Sequence, residues 1–176
     1  IGIAGMDPRP FQELTGTSIR LVHTFVPKRE GWAPLRGENA GGRLDVMARA
    51  LAQHANTVGL ISYPPIPARI EGSREEALAK CAAGQFNDHY AAYSRGMMDR
   101  RLDRVILRIG WEWDDDFPWG AKKDVALARL FGACFANVVR SIREAYPDNR
   151  ILFDWNSTMA VTPELLEAGY PGDAYV

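Results

Sequence analysis

The sequence predicts an α/β fold, specifically an incomplete (β/α)8 TIM barrel comprising roughly its first five to six βα units, with residues 1–176 forming one domain. Three observations carry this expectation. Short apolar runs alternate with helical patterns, which implies a parallel sheet joined by right-handed crossovers. Most runs are nearly continuous in apolar residues, which suits parallel strands covered on both faces. Polar and aromatic residues collect in the segments that follow the runs, where barrel enzymes keep their chemistry.

The first run is "IGIAGM" (Ile1–Met6), and the turn after it reads "GMDPRPF". That turn holds neither G-x-G-x-x-G nor G-x-x-x-x-G-K-[ST], so it offers no phosphate cradle and argues against a nucleotide-binding open sheet. The second run is "SIRLVHTFV" (Ser18–Val26), followed by a helical stripe of Leu44, Met47, Leu51 and His54. "TVGLISY" (Thr57–Tyr63) is the third, followed by the stripe Phe86, Tyr90, Tyr93 and Met97. "RVILRIG" (Arg104–Gly110) is the fourth, and it precedes the strongest helix, with Leu127, Leu130, Phe131, Cys134, Val138 and Ile142 on one face. That helix must stop at "YPDN", where Pro147 and Asp148 forbid continuation. "RILFDW" (Arg150–Trp155) is the fifth run. In "VTPELLEAGYPGD", Thr162 reads as an N-cap, Pro163 as the first helical residue and Gly169 as a stop. The closing "AYV" reads as the start of a sixth strand. A full barrel needs about 250 residues, so the chain reads as the N-terminal part of a single catalytic domain, truncated before a seventh strand. Alone, such a piece would leave strand edges unprotected.

Composition narrows the classes. The chain is 47% hydrophobic and 24% charged, ordinary for a protein that buries a core. A net charge of −1 gives no electrostatic reason to expect nucleic acid or an anionic membrane. No unbroken apolar run approaches the roughly 18 residues that span a bilayer. Ile1 opens directly into the first run, with neither the basic region nor the cleavage site of a signal peptide. Two cysteines, Cys81 and Cys134, make neither a disulfide framework nor a metal site. Cys134, on the apolar face of its helix, reads as a small buried hydrophobe, which leaves the redox compartment open.

All five tryptophans follow or end strands: Trp32 the second, Trp111, Trp113 and Trp119 the fourth, and Trp155 the fifth. The segment "RVILRIGWEWDDDFPWG" sets Glu112 between two of them. Strand alternation puts Arg108, Gly110 and Glu112 on one face and Leu107, Ile109 and Trp111 on the other. Apolar surroundings raise a carboxyl pKa, which keeps an acid protonated until it can donate. Indole faces offer platforms to the C–H side of sugar rings, while Asp114, Asp116 and Asn156 can serve hydroxyls. Together these residues point to carbohydrate and to glycoside hydrolysis. Arg108 and Asp154 read as supporting residues, an ion pair across adjacent strands. Trp119 and Trp155 read as platforms because they cluster with polar groups, and Trp32 is a further candidate.

"RIGWEWDDDFPWG" resembles the segment that carries the acid/base glutamate of glycoside hydrolase family 26, the β-mannanases and related endo-glycanases. The family form is R-x-x-H-E-M-N-G-x-W-F-x-W-G. Upstream, "AAGQFNDHYAAYSRGMMDRRLDRVILRIG" is similar to the family's helix-then-strand lead-in. Downstream, "ILFDWNS" is similar to its fifth strand and "YPGDAYV" to its Y-P-G-D-x-Y-V-D approach to the sixth. The likeness covers about residues 80–176. It implies a cofactor-free, secreted or cell-envelope endo-glycosidase of the retaining type acting on a β-linked polysaccharide such as β-mannan, with Glu112 as acid/base. The nucleophile would sit about 5–5.5 Å away on a seventh strand, outside this chain. Trp111, Trp113, Asp114, Trp119, Trp155, Asn156 and Trp32 would contact the polysaccharide, with no metal and no nucleic-acid or membrane partner. Trp111 stands where histidine is usual, and Trp113-Asp114 where Met-Asn is usual. Those departures leave open a non-catalytic carbohydrate-binding protein on a degenerate barrel, or an unrelated α/β domain using its aromatics as a protein interface.

Other residues read as structural. Three adjacent carboxylates, Asp114 to Asp116, cannot all turn to one ion, and calcium-loop spacing is absent. His23 reads as a satisfied core histidine, and His54 and His89 as packing.

Overall fold

The computed structural model describes residues 2–4, 9–38, 43–54 and 56–176. Five parallel strands, β1 (Gly2–Ala4), β2 (Leu21–Phe25), β3 (Val58–Tyr63), β4 (Ile106–Ile109) and β5 (Leu152–Asp154), pair in chain order. A doubly wound sheet reverses its order part-way, and no reversal occurs among the described strands. The ends of the first expected strand (Ile1, Gly5 and Met6) lie outside the described residues, as do Asp7 and Pro8 of the turn after it.

The helices are α1 (Arg9–Thr15), α2 (Arg43–Gln53), α3 (Arg74–Ala82), α4 (Asn87–Asp99), α5 (Val125–Ala145) and α6 (Pro163–Gly169). Each well-formed start has a chemical cause. Ser73 and Glu76 form a reciprocal capping box on α3. The Asp124 carboxylate accepts from the Ala126 and Leu127 amides, and Thr162 caps α6 ahead of Pro163. Helix α5 is long and apolar enough to cross a membrane by length and composition, but 61% of that stretch is buried within the protein, where α5 packs on α3, α4 and α6.

The central strand β3 is buried on both faces from Gly59 to Tyr63, whereas β2, β4 and β5 alternate buried with more open side chains. Val22, Ile61, Tyr63, Leu107, Ile109 and Phe153 point under the helices and are buried. The opposite side chains form two registered rows: His23, Leu60, Ile106 and Leu152, then Phe25, Ser62, Arg108 and Asp154. Of these, Leu60, Ile106, Arg108, Leu152 and Asp154 line an open groove of about 610 Å³, where Leu152 is 67% exposed. The apolar lower row explains why the runs read as continuous. The expectation of cover on both faces holds for β3 and is corrected for β2, β4 and β5.

Two further expectations are corrected. Cys81 and Cys134 form a disulfide joining α3 to α5, with Cα atoms 5.0 Å apart. Both lie on buried helix faces that meet, a proximity that spacing along the chain cannot reveal. "AYV" begins no strand: residues Asp173–Tyr175 form a 3-10 turn. Arg143 donates to the Ala174 carbonyl and Arg140 to the Tyr175 hydroxyl, holding the segment against α5.

Candidate active site

The residue that ends β4 sets the geometry of the mouth. Gly110 has φ 57° and Glu112 φ 50°, both left-handed, so strand alternation stops at Ile109. A Cβ on Gly110 would meet Phe131 at 2.5 Å; the missing side chain makes room for a neighbour, and only glycine adopts that φ without cost. The turn carries Glu112 out of the strand plane and leaves it exposed. Its backbone N–H donates to Asn156 Oδ1 at 3.3 Å, which links the ends of β4 and β5. A non-glycine residue held in this conformation is strained, a feature concentrated at functional sites.

Below the mouth, Arg108 Nε donates to Asp154 Oδ2 at 2.5 Å, the pair expected from adjacent strands. Beside it, His23 Nε2 lies 2.8 Å from Ser62 Oγ. Burial, and secondarily the Arg108 charge, lower the His23 pKa, while Asp154 opposes them. His23 is therefore a satisfied, part-buried histidine.

The aromatic residues divide into buried and open. Trp113 and Trp119 are fully buried, and Trp111 is 9% exposed. Trp113 stacks between Phe131 and Trp155. Trp119 stacks on Phe117 and donates from Nε1 to the Trp111 carbonyl at 3.1 Å. Neither Trp113 nor Trp119 presents a face to a sugar, so their expected role as platforms is corrected: both brace the loop. Trp32 is spent on His89, stacked at 4.1 Å, and on Phe86, so it too is a packing residue. Trp155 is half-buried and lines the groove with Arg108 and Asp154, and it is the indole positioned to face a ligand. The expected enclosure of Glu112 by indoles does not occur, because the left-handed turn sends the flanking side chains elsewhere.

The three aspartates diverge. Asp114 is buried and accepts from the Thr158 backbone N–H at 2.7 Å and from its hydroxyl; it fastens the loop after β4 to the loop after β5. Its expected substrate contact is corrected on that ground. Asp115 Oδ1 accepts from the Asp116 amide. Asp116 pairs with Arg74 and Lys122, whose hydrogen bonds hold it below the ordinary carboxylate range. Among the described residues no group of histidine, cysteine and carboxylates could hold a metal ion. A cavity of about 590 Å³ between the two loops is lined by Asp114, Asp115, Lys123, Thr158 and Glu164, but not by Glu112.

Sequence reasoning missed Lys28. It follows β2, half-buried, and its Nζ lies 4.1 Å from the Phe117 ring centroid, 5.4 Å from that of Trp119 and 5.7 Å from that of Trp111. Burial, then the Arg29 charge, lower its pKa, and Glu112 opposes. The available signal was "VPKRE", two adjacent cations directly after a strand.

The parallel sheet in chain order is a glycosidase-like α/β fold. The fold is mannanase-like, that of the glycoside hydrolase family 26 enzymes the sequence resembles. The chain is similar to the YdhT protein from Bacillus subtilis, with TM-score 0.73 and 14% identity over 97% of this chain and 55% of that one. It is also similar to Bacillus subtilis mannanase man26, with TM-score 0.72 and 12% identity over 97% of this chain and 56% of that one. Bacillus subtilis mannanase BCman matches with TM-score 0.72 and 13% identity over 97% of this chain and 55% of that one. The chain thus spans about half the length of the solved structures it matches. No protein-family model matches the sequence, and no curated protein is significantly similar to it.

Proposed function

We propose that this chain carries the acid/base side of a retaining endo-glycosidase acting on a β-linked polysaccharide of the β-mannan type, within a (β/α)8 barrel. The observation that carries the reading is Glu112: an exposed carboxyl at the C-terminal end of β4, fixed by a strained turn and by Asn156, on a mannanase-like fold. In the reaction Glu112 protonates the departing glycosidic oxygen, then takes a proton from the water that attacks the glycosyl-enzyme. Trp155 and Asn156 hold the sugar, and the Arg108–Asp154 pair fixes the wall beneath it. The nucleophile belongs to a later strand of the barrel. The Cys81–Cys134 disulfide supports an extracellular or cell-envelope setting, since disulfides persist in oxidising compartments.

The test is Glu112→Gln in the full-length protein. Activity on mannan should fall by about 10²–10⁴-fold, and activity on aryl glycosides with good leaving groups should fall far less, because they need little protonation. Equal activity on mannan before and after the substitution would overturn the role. The openness of Glu112 favours one second reading, a carbohydrate-binding protein without turnover; wild-type protein that binds mannan and never cleaves it selects that reading.

A further inference from the structure

We propose that Lys28, with Arg29 beside it, is a specificity residue that engages the carboxylate of a uronic acid unit in the glycan; the inference deepens the glycosidase reading and rests on it. Lys28 is held in place at both ends. Its carbonyl accepts from the Ala68 amide at 2.7 Å, which ties the loop after β2 to the loop after β3. Its Nζ lies over the Phe117, Trp119 and Trp111 rings, so the ammonium sits on an aromatic bed at the mouth.

Three other cations near the mouth have carboxylate partners. Arg74 and Lys122 are engaged by Asp116, and Arg108 by Asp154. Among the described residues, the Lys28 and Arg29 side chains have neither a hydrogen bond nor an ion pair. The Lys28 ammonium rests on rings and among these residues has no hydrogen-bond acceptor or carboxylate partner, and the guanidinium beside it adds positive charge and planar donors. The carboxylate whose charge reaches Lys28 is Glu112, the group assigned to the glycosidic oxygen. A sugar seated there meets an acid on one side and unpaired cations on the other. A neutral hexose offers the cations only neutral hydroxyl acceptors, whereas a uronic acid adds a carboxylate that matches their charge.

The test is binding by the full-length Glu112→Gln protein, in which turnover is slowed enough for binding to be read. The ligands are a β-mannan oligosaccharide and the same oligosaccharide with its C6 hydroxyls oxidised to carboxylates, read by calorimetry at low and high salt. The oxidised ligand should bind about tenfold more tightly at low salt, the scale of one charge-assisted hydrogen bond, and high salt should erode the difference. Adding Lys28→Met, which keeps the apolar stem over the rings, should make the two ligands bind alike; adding Lys28→Arg should keep most of the preference. Equal binding of the two ligands by the Glu112→Gln protein overturns the proposal. So does a preference that survives Lys28→Met, or binding of neither ligand. Failure of the glycosidase reading shows separately, as an absence of Glu112-dependent turnover of either glycan by the wild-type protein.

Discussion

Arg108 and Asp154 sit opposite one another on neighbouring parallel strands and meet at 2.5 Å, each about 30% exposed. The pair is the polar lock at the upper level of a groove whose lower level is apolar. Its net worth is modest, since desolvation offsets much of the attraction, but losing one partner leaves the other charge in a half-dry wall. Asp154→Asn should therefore destabilise the fold by about 1–3 kcal/mol, read as a shift in urea midpoint at unchanged slope. Arg108→Met with Asp154→Leu should cost less than Asp154→Asn alone. A double variant worse than the single one would show that the pair contributes more than mutual satisfaction.

The Cys81–Cys134 bond closes a loop of 53 residues across α3 and α5. Chain entropy alone makes such a crosslink worth about 4 kcal/mol. Near it, Asn137 Nδ2 donates to the Cys81 carbonyl at 2.9 Å and to Asn87 Oδ1, and the Tyr90 hydroxyl reaches the Cys81 sulfur. Reductant should lower the unfolding free energy by about that amount, read as a lower urea midpoint, and a Cys81→Ala, Cys134→Ala protein should show no further response to reductant. A midpoint indifferent to reductant would mean that the α3–α5 packing carries the region unaided.

His23 gives the fold a pH dependence with a definite sign. Burial first and Arg108 second lower its folded-state pKa from 6.5, so the folded protein binds this proton less readily than the unfolded chain does. The stability it contributes is complete above pH 6.5 and falls as pH drops from there towards the lowered folded value, where the loss levels off. The groups facing the ring are Ser62, Arg108 and Asp154. Unfolding free energies measured between about pH 7.5 and 5 should therefore have a shallower slope in His23→Asn than in the wild type. Identical slopes would show that the ring is equally easy to protonate in both states. His89 shifts in the same direction, through burial and then Arg36, so the variant should retain part of the slope.

The sheet was legible because apolar runs separated by helical stripes admit few arrangements, and α5 shows why: its Phe131, Cys134, Val138 and Ile142 stripe is buried as spaced. Helix α3 was also within reach, since Ser73 and Glu76 have capping-box spacing ahead of Ala77, Leu78 and Cys81, but it is short and charged and carries little periodic signal. Other features depend on contacts between distant residues. Nothing near Cys81 announces Cys134. The fate of the tryptophans depends on two left-handed residues, Gly110 and Glu112, that break the period-2 rule where the candidate site begins. The sequence shows that indoles flank the carboxyl; it does not show that Trp113 turns into Phe131 while Trp119 turns under Phe117.

That same break yields a prediction that separates stability from function. A left-handed φ costs a non-glycine residue about 1 kcal/mol, and glycine escapes it. The exposed Glu112 side chain makes no hydrogen bond or ion pair among the described residues, and its backbone N–H keeps Asn156 whatever side chain is present. Glu112→Gly should therefore raise stability by about 0.5–1 kcal/mol, part of the relief being offset by the added freedom of the unfolded chain. Glu112→Gln keeps the strained backbone and should leave stability within about 0.5 kcal/mol of wild type. Both should lose mannan hydrolysis. The two urea midpoints and one activity assay decide the matter: if Glu112→Gly is the less stable protein, the turn is not strained, and the side chain is held there by packing instead of being retained for its chemistry.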